Sequence, residues 1–146
     1  MKSGLLIRVI KDEILHLFWG YLVTFPLLIK FRPDLSFVPL VVIFVDLDHF
    51  VAARGFSLER SLTLPRRPAL HSLTSAIIGS LLFSLLFGTL LGYILFVAWL
   101  SHLIWDMKGG TVSLFWPSLR QFNLPKKVVY LSLLCLFLIS LLLAYL

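Results

Sequence analysis

Cysteine is almost absent from this chain. Cys135 is the one thiol among 146 residues, which excludes an intrachain disulfide and any zinc cluster built on thiolates. It sits inside the last apolar run and reads as a small packed or lipid-facing residue. Charge is scarce as well: Asp, Glu, Lys and Arg together make up 14% of the residues. No Ser/Gly-rich linker, internal repeat or low-complexity tract divides the chain, so a single domain over residues 1–146 is expected. Charges at Lys2, Arg8, Lys11, Asp12 and Glu13 break up the early apolar pattern, so no cleaved signal peptide is expected.

What remains is hydrophobic. With 60% apolar residues and a mean hydropathy of 0.99, the chain has more apolar surface than one soluble core of this size can hide. The pattern predicts an all-α, polytopic integral membrane bundle of about five transmembrane helices, over residues 14–29, 37–53, 71–87, 90–107 and 128–146. Pro26 is expected to kink the first span, and Pro39 suits the first turn of the second. Gly88-Thr89 marks a tight turn between the third and fourth, and Phe115-Trp116-Pro117 reads as an interfacial segment. Several runs hold only 16 to 18 apolar residues, near the lower limit for a hydrocarbon layer about 30 Å thick, so some are expected to tilt or to span incompletely.

The basic residues orient the bundle. Lys2, Arg8, Lys11, Arg54, Arg60, Arg66, Arg67, Lys108, Arg120, Lys126 and Lys127 fall on the side of the N-terminus, against Lys30 and Arg32 opposite. The positive-inside bias then predicts a cytoplasmic N-terminus in the plasma (inner) membrane. The net charge of +6 does not point to nucleic acid, because these residues lie between apolar spans and form no basic stripe with interleaved aromatics.

Ionisable side chains within a span are expensive, so each needs a partner or a task. His16, Asp46, Asp48, His49, His71, His102 and Asp106 stand within or at the ends of the spans and include every histidine in the chain. With spans alternating in direction, all seven fall at the cytoplasmic side and at one level, which is how helix bundles build metal centres. His102 and Asp106, four apart, share a helix face, as do Asp46 and His49, three apart. Asp48 points elsewhere on an ideal helix. Either the helix ends there, or Asp48 holds an imidazole N–H from outside the ligand set. Each residue also has a structural reading: His16 as a packed histidine, His71 as an interfacial one, His102 with Asp106 as a salt link to an arginine. The Asp46-Leu47-Asp48-His49 cluster resists such a reading, because two carboxylates so close in an apolar run repel unless a cation or proton neutralises them.

The segments Asp46-Leu47-Asp48-His49, Arg66-Arg67-Pro68-Ala69-Leu70-His71-Ser72, His102-Leu103-Ile104-Trp105-Asp106 and Leu114-Phe115-Trp116-Pro117 resemble, in order, the signature segments of the YdjM-like family of predicted membrane-bound, metal-dependent hydrolases. The resemblance implies Asp46, Asp48, His49, His71, His102 and Asp106 as ligands, with His16 matching a histidine early in the first span. This chain departs from the pattern where Arg66 replaces a histidine, Leu70 a threonine and Val45 a proline, while Arg67 and Ser72 are retained.

The expected function is hydrolysis of an ester or phosphoester, of a lipid or a small molecule, at the cytoplasmic membrane surface. The expected cofactor is a divalent cation, with Zn²⁺ suiting the thiolate-free His/Asp donors and Mn²⁺ or Fe²⁺ as alternatives. Asp48 or Asp106 is expected as general base, and Arg66, Arg67 and Ser72 as substrate-binding residues. Membrane lipids are the expected partners. Two other functions compete: a metal-ion or proton transporter, and a non-catalytic scaffold derived from the hydrolase family, which the loss of histidine at Arg66 motivates.

Overall fold

The structure, a computed structural model, describes residues 2–31, 39, 43–55, 57, 60, 64, 68–117 and 120–146. Among these, five helices and one small hairpin follow in order: α1 (Lys2–Phe31), α2 (Ile43–Ala52), α3 (Leu73–Phe87), α4 (Thr89–Asp106), β1 (Val112–Ser113), β2 (Gln121–Phe122) and α5 (Lys126–Tyr145). The chain is a helical, polytopic membrane bundle. Residues 6–31 of α1, and α4 and α5 throughout, are long and apolar enough to cross a bilayer.

Of the span expected at 37–53, α2 accounts for residues 43–52, and residues 37, 38 and 40–42 lie outside the described residues. At 15 residues, α3 covers ~22 Å, less than the hydrocarbon layer. The first span starts earlier than expected. Its helix begins at Lys2 and not near residue 14, because leucine, isoleucine, lysine and glutamate all favour helix and hydropathy marks the lipid boundary, not the helix end. The helix also continues through Pro26 to Phe31. The two-residue strands of β1 and β2, paired antiparallel with Val112 opposite Phe122, are too short to leave a periodic signal.

Helices α3 and α4 form a tight hairpin on Gly88, whose φ of 102° is open to glycine and strained for other residues. Its N–H donates to Ser84 O at 2.9 Å, closing α3. Small residues then let the two helices approach closely. A Cβ on Gly92 would lie 2.6 Å from Ser80 O, and one on Gly79 would lie 2.6 Å from the Trp99 ring. Helix α1 packs against α4 and α5, and Val23, Leu27, Ile94, Ala98, Leu103, Val129 and Leu133 are buried between the elements. The outer surface is apolar too: Leu85 and Leu86 on α3 are 83% and 75% exposed, and Leu142 on α5 is 61% exposed. Such a surface is stable facing lipid. Cys135 lies on it as a free thiol.

Candidate metal centre

The inward stripe of α1 advances in steps of three and four through Glu13, His16, Gly20, Val23 and Leu27, all buried or partly buried. Apolar below and ionisable above, it delivers one imidazole and one carboxylate to the level where α4 ends. Helix α4 brings His102 and Asp106 to the same place, one turn apart and at 0% and 4% exposure. Helix α2 adds Asp46, Asp48 and His49.

His71 arrives on the turn before α3, and that turn is clamped from several sides. His71 N donates to Pro68 O at 3.1 Å, Leu70 N donates to Asp48 Oδ2 at 2.7 Å, and Trp99 Nε1 donates to Leu70 O at 3.1 Å. Ser72 then opens α3 as its N-cap, accepting from Ser75 N at 3.2 Å. The result is a fully buried His71 whose two ring nitrogens face carboxylates on α2.

At the centre, His71 Nε2 lies 3.1 Å from Asp46 Oδ1, 3.4 Å from Asp106 Oδ2 and 3.4 Å from His102 Nε2. His102 Nε2 lies 3.6 Å from Asp46 Oδ2 and 3.5 Å from Asp106 Oδ2. Two imidazoles and two carboxylates therefore face one another, His71 meeting Asp46 through Oδ1 and His102 meeting it through Oδ2. Ligand atoms bound to one zinc ion at about 2.0–2.1 Å sit about 3.3 Å apart at the corners of a tetrahedron, and these donor–donor separations lie near that value. On the α1 side, His16 Nε2 is 3.5 Å from Asp106 Oδ1 and His16 Nδ1 is 3.6 Å from Asp46 Oδ2. On the α2 side, His49 Nδ1 is 3.7 Å from Asp46 Oδ1 and 3.5 Å from Asp48 Oδ1. All seven residues expected as ligands thus join one network of separations between 3.1 and 3.7 Å.

The donors fit a divalent cation on a second ground. Both ring nitrogens of His16, buried at 5% exposure, have no hydrogen-bond partner among the described residues, and neither has Asp46 Oδ2. Buried polar atoms left this way cost about 1–3 kcal/mol each, and a cation bound among them would offset that cost.

Three expectations change at this point. Helix α2 does not end at Asp48 but runs on to Ala52. As the alternative reading expects, Asp48 places Oδ1 3.2 Å from His71 Nδ1 while Oδ2 accepts from Leu70 N, which orients His71 and its turn, and Asp48 also groups with His49 and His71 as a possible ligand set. Asp106 lies among three imidazoles, in the ligand set and not apart from it. Ser72 is fully buried and spends its hydroxyl on the α3 cap and on Ala69 O at 2.8 Å, so it is a positioning residue and not a substrate contact. Arg66 and Arg67 lie outside the described residues.

Glu13 was not expected. It groups with His16 and Asp46 as a possible ligand set, and its signal in the sequence is the three-residue spacing from His16. An outer layer of aromatics supports the centre: Trp105 Nε1 donates to Asp12 Oδ1 at 3.1 Å, and Trp105 packs on Trp19 and Tyr130 with ring centroids 5.8 and 6.1 Å away.

Part of this chain is similar to a known transmembrane protein. It is 40% identical over 70 residues to Transmembrane protein 267 of Mus musculus, an alignment covering 42% of this chain and 33% of that protein. The chain thus spans about a third of the length of the curated relative it matches. No family model matches it, and no solved structure does.

Proposed function

We propose that this protein is a metal-dependent hydrolase of the YdjM-like type, cleaving an ester or phosphoester, of a lipid or a small molecule, at the cytoplasmic face of the plasma (inner) membrane. The observation that carries this reading is the convergence of His71, His102, Asp46 and Asp106 from α2, the turn before α3, and α4 at separations of 3.1–3.6 Å. A divalent cation held there, with Zn²⁺ favoured by the donor types and Mn²⁺ or Fe²⁺ as alternatives, supplies Lewis acidity and an activated water. The chain's own residues do the rest. Asp48 fixes the His71 ring, Trp99 and the Ser72 cap hold the turn, and the buried walls keep bulk water from competing for the donors.

Arg66 and Arg67 stand a few residues before His71, and guanidinium groups there suit a phosphoester better than a neutral ester. The position of the centre favours a lipid-derived substrate. His16 and His102 stand 15 and 13 residues along their helices from Phe31 and Thr89, or ~20 Å from the far side of the bilayer, close to the near headgroup boundary.

The test uses detergent-purified protein and a panel of lipid and water-soluble esters and phosphoesters. Hydrolysis that a chelator abolishes, added metal restores and His71→Ala eliminates supports the reading. Metal-loaded protein that cleaves nothing, but gains activity on Arg66→His, favours the scaffold instead. A protease-cleavable N-terminal tag cut only in inverted vesicles supports the orientation, and cutting only in right-side-out vesicles refutes it.

A further inference from the structure

We infer that the centre holds two divalent cations and not one, with Asp46 and Asp106 shared between them and Glu13 completing the second position. This rests on the metal-dependent reading above and extends it to a residue, Glu13, that neither the motifs nor the resemblance assigns.

The carboxylate oxygens divide between two sides of the centre. Asp106 turns Oδ2 toward His71 and His102, at 3.4 and 3.5 Å, and Oδ1 toward His16 at 3.5 Å. Asp46 turns Oδ1 toward His71 at 3.1 Å and Oδ2 toward both His102 Nε2 and His16 Nδ1, at 3.6 Å each. Asp106 therefore faces the His71–His102 pair with one oxygen and His16 with the other, and Asp46 Oδ2 is common to the two sides. Carboxylates placed this way would suit a position between two ions.

His16 is the second step. His71 and His102 share Asp46 as a possible ligand set and lie 3.4 and 3.5 Å from Asp106 Oδ2, enough donors for one tetrahedral ion without His16. Yet it is 5% exposed, and neither of its nitrogens has a hydrogen-bond partner among the described residues. Its ring lies 4.0 Å from that of His102, and His16 groups with His102 and Asp106 on one side and with Glu13 and Asp46 on the other, so it stands between two donor sets. Glu13, one turn earlier on α1, offers an oxygen to the same space. Glu13, His16 and Asp46 present one donor atom each within 4.8 Å of one another, and Glu13 Oε2 has no hydrogen-bond partner among the described residues. The three donors of this second set come from α1 and α2, whereas the first set rests on α2, α4 and the turn before α3.

Charge gives an independent reason. Asp46, Asp48 and Asp106 gather three carboxylates beside an apolar layer, where unbalanced charge is costly. One divalent cation leaves one of them unbalanced.

The test is the metal stoichiometry of the full chain purified in detergent without chelator, followed by electron paramagnetic resonance after reconstitution with Mn²⁺. The inference predicts about two ions per chain and an exchange-coupled Mn²⁺ signal, because shared carboxylates keep the ions about 3.5–4 Å apart. Glu13→Gln and His16→Ala, checked for helix content by circular dichroism, should each fall to about one ion and lose the coupling while the remaining ion stays bound. One ion per chain in the native protein overturns the inference and leaves the hydrolase reading standing. Two uncoupled ions overturn the sharing of Asp46 and Asp106, and two ions retained by Glu13→Gln overturn its assignment. No retained metal at all overturns both readings.

Discussion

At the scale of single residues, the centre separates groups that face the shared point from groups that hold them in place. Asp48 belongs to the second kind. Its two oxygens engage His71 Nδ1 and Leu70 N, at 3.2 and 2.7 Å, so Asp48→Asn should leave the donors present but loosen the ring. The expected outcome is a metal affinity lower by roughly 10- to 100-fold at unchanged stoichiometry, measured by competition with a chelating dye. Complete loss of one ion would show instead that Asp48 is a ligand. The residue scale is also where the sequence was most and least legible. His102 with Asp106 and Asp46 with His49 are readable because helical spacing fixes their shared faces. Glu13 has the same spacing to His16 but hides among Lys11 and Asp12, where charges next to an apolar run read as a solvated boundary. Ser72 and Asp48 carry roles set by the fold of one turn, Pro68–Ser72, and no periodicity records such a turn.

At the scale of elements, two features govern how well the centre is held. The first is the close approach of α3 and α4. Gly92→Ala would bring a methyl within 2.6 Å of the Ser80 carbonyl and 2.8 Å of Ser84 Cα, and backbone cannot yield as a side-chain tip can. The helices must move apart, at a cost of about 1–3 kcal/mol. A lowered midpoint in detergent thermal unfolding is expected, and an unchanged one would show that the hairpin has slack. The second is α2, which among the described residues packs mainly on α1. Much of what fixes it is polar: Asp46 and Asp48 engage His16, His71 and His102, and the His49 ring meets that of His71. Removing the metal should therefore loosen α2 before the rest. Hydrogen exchange in detergent is expected to rise in residues 43–52 on chelation while α4 and α5 stay protected. Uniform exchange with and without chelator would mean that packing alone holds α2. That α3 falls short of a full span was foreshadowed by the brevity of its apolar run.

At the scale of the whole molecule, an apolar bundle faces lipid with its leucines and concentrates its buried ionisable groups at one level. The class of fold follows from composition, and the common depth of His16, Asp46, His71 and His102 follows from alternating helix direction. What composition could not supply is how the groups pair, since that depends on the rotation of α1, α2 and α4 about their own axes. The central claim is that these imidazoles and carboxylates are metal ligands. It is tested most directly by X-ray absorption at the edge of the metal that the purified protein retains. A first shell of nitrogen and oxygen at about 2.0–2.2 Å, with the outer-shell scattering of imidazole and its reduction in His102→Ala, is the predicted result. A sulfur shell at about 2.3 Å, or a spectrum without imidazole that His102→Ala leaves unchanged, would contradict it.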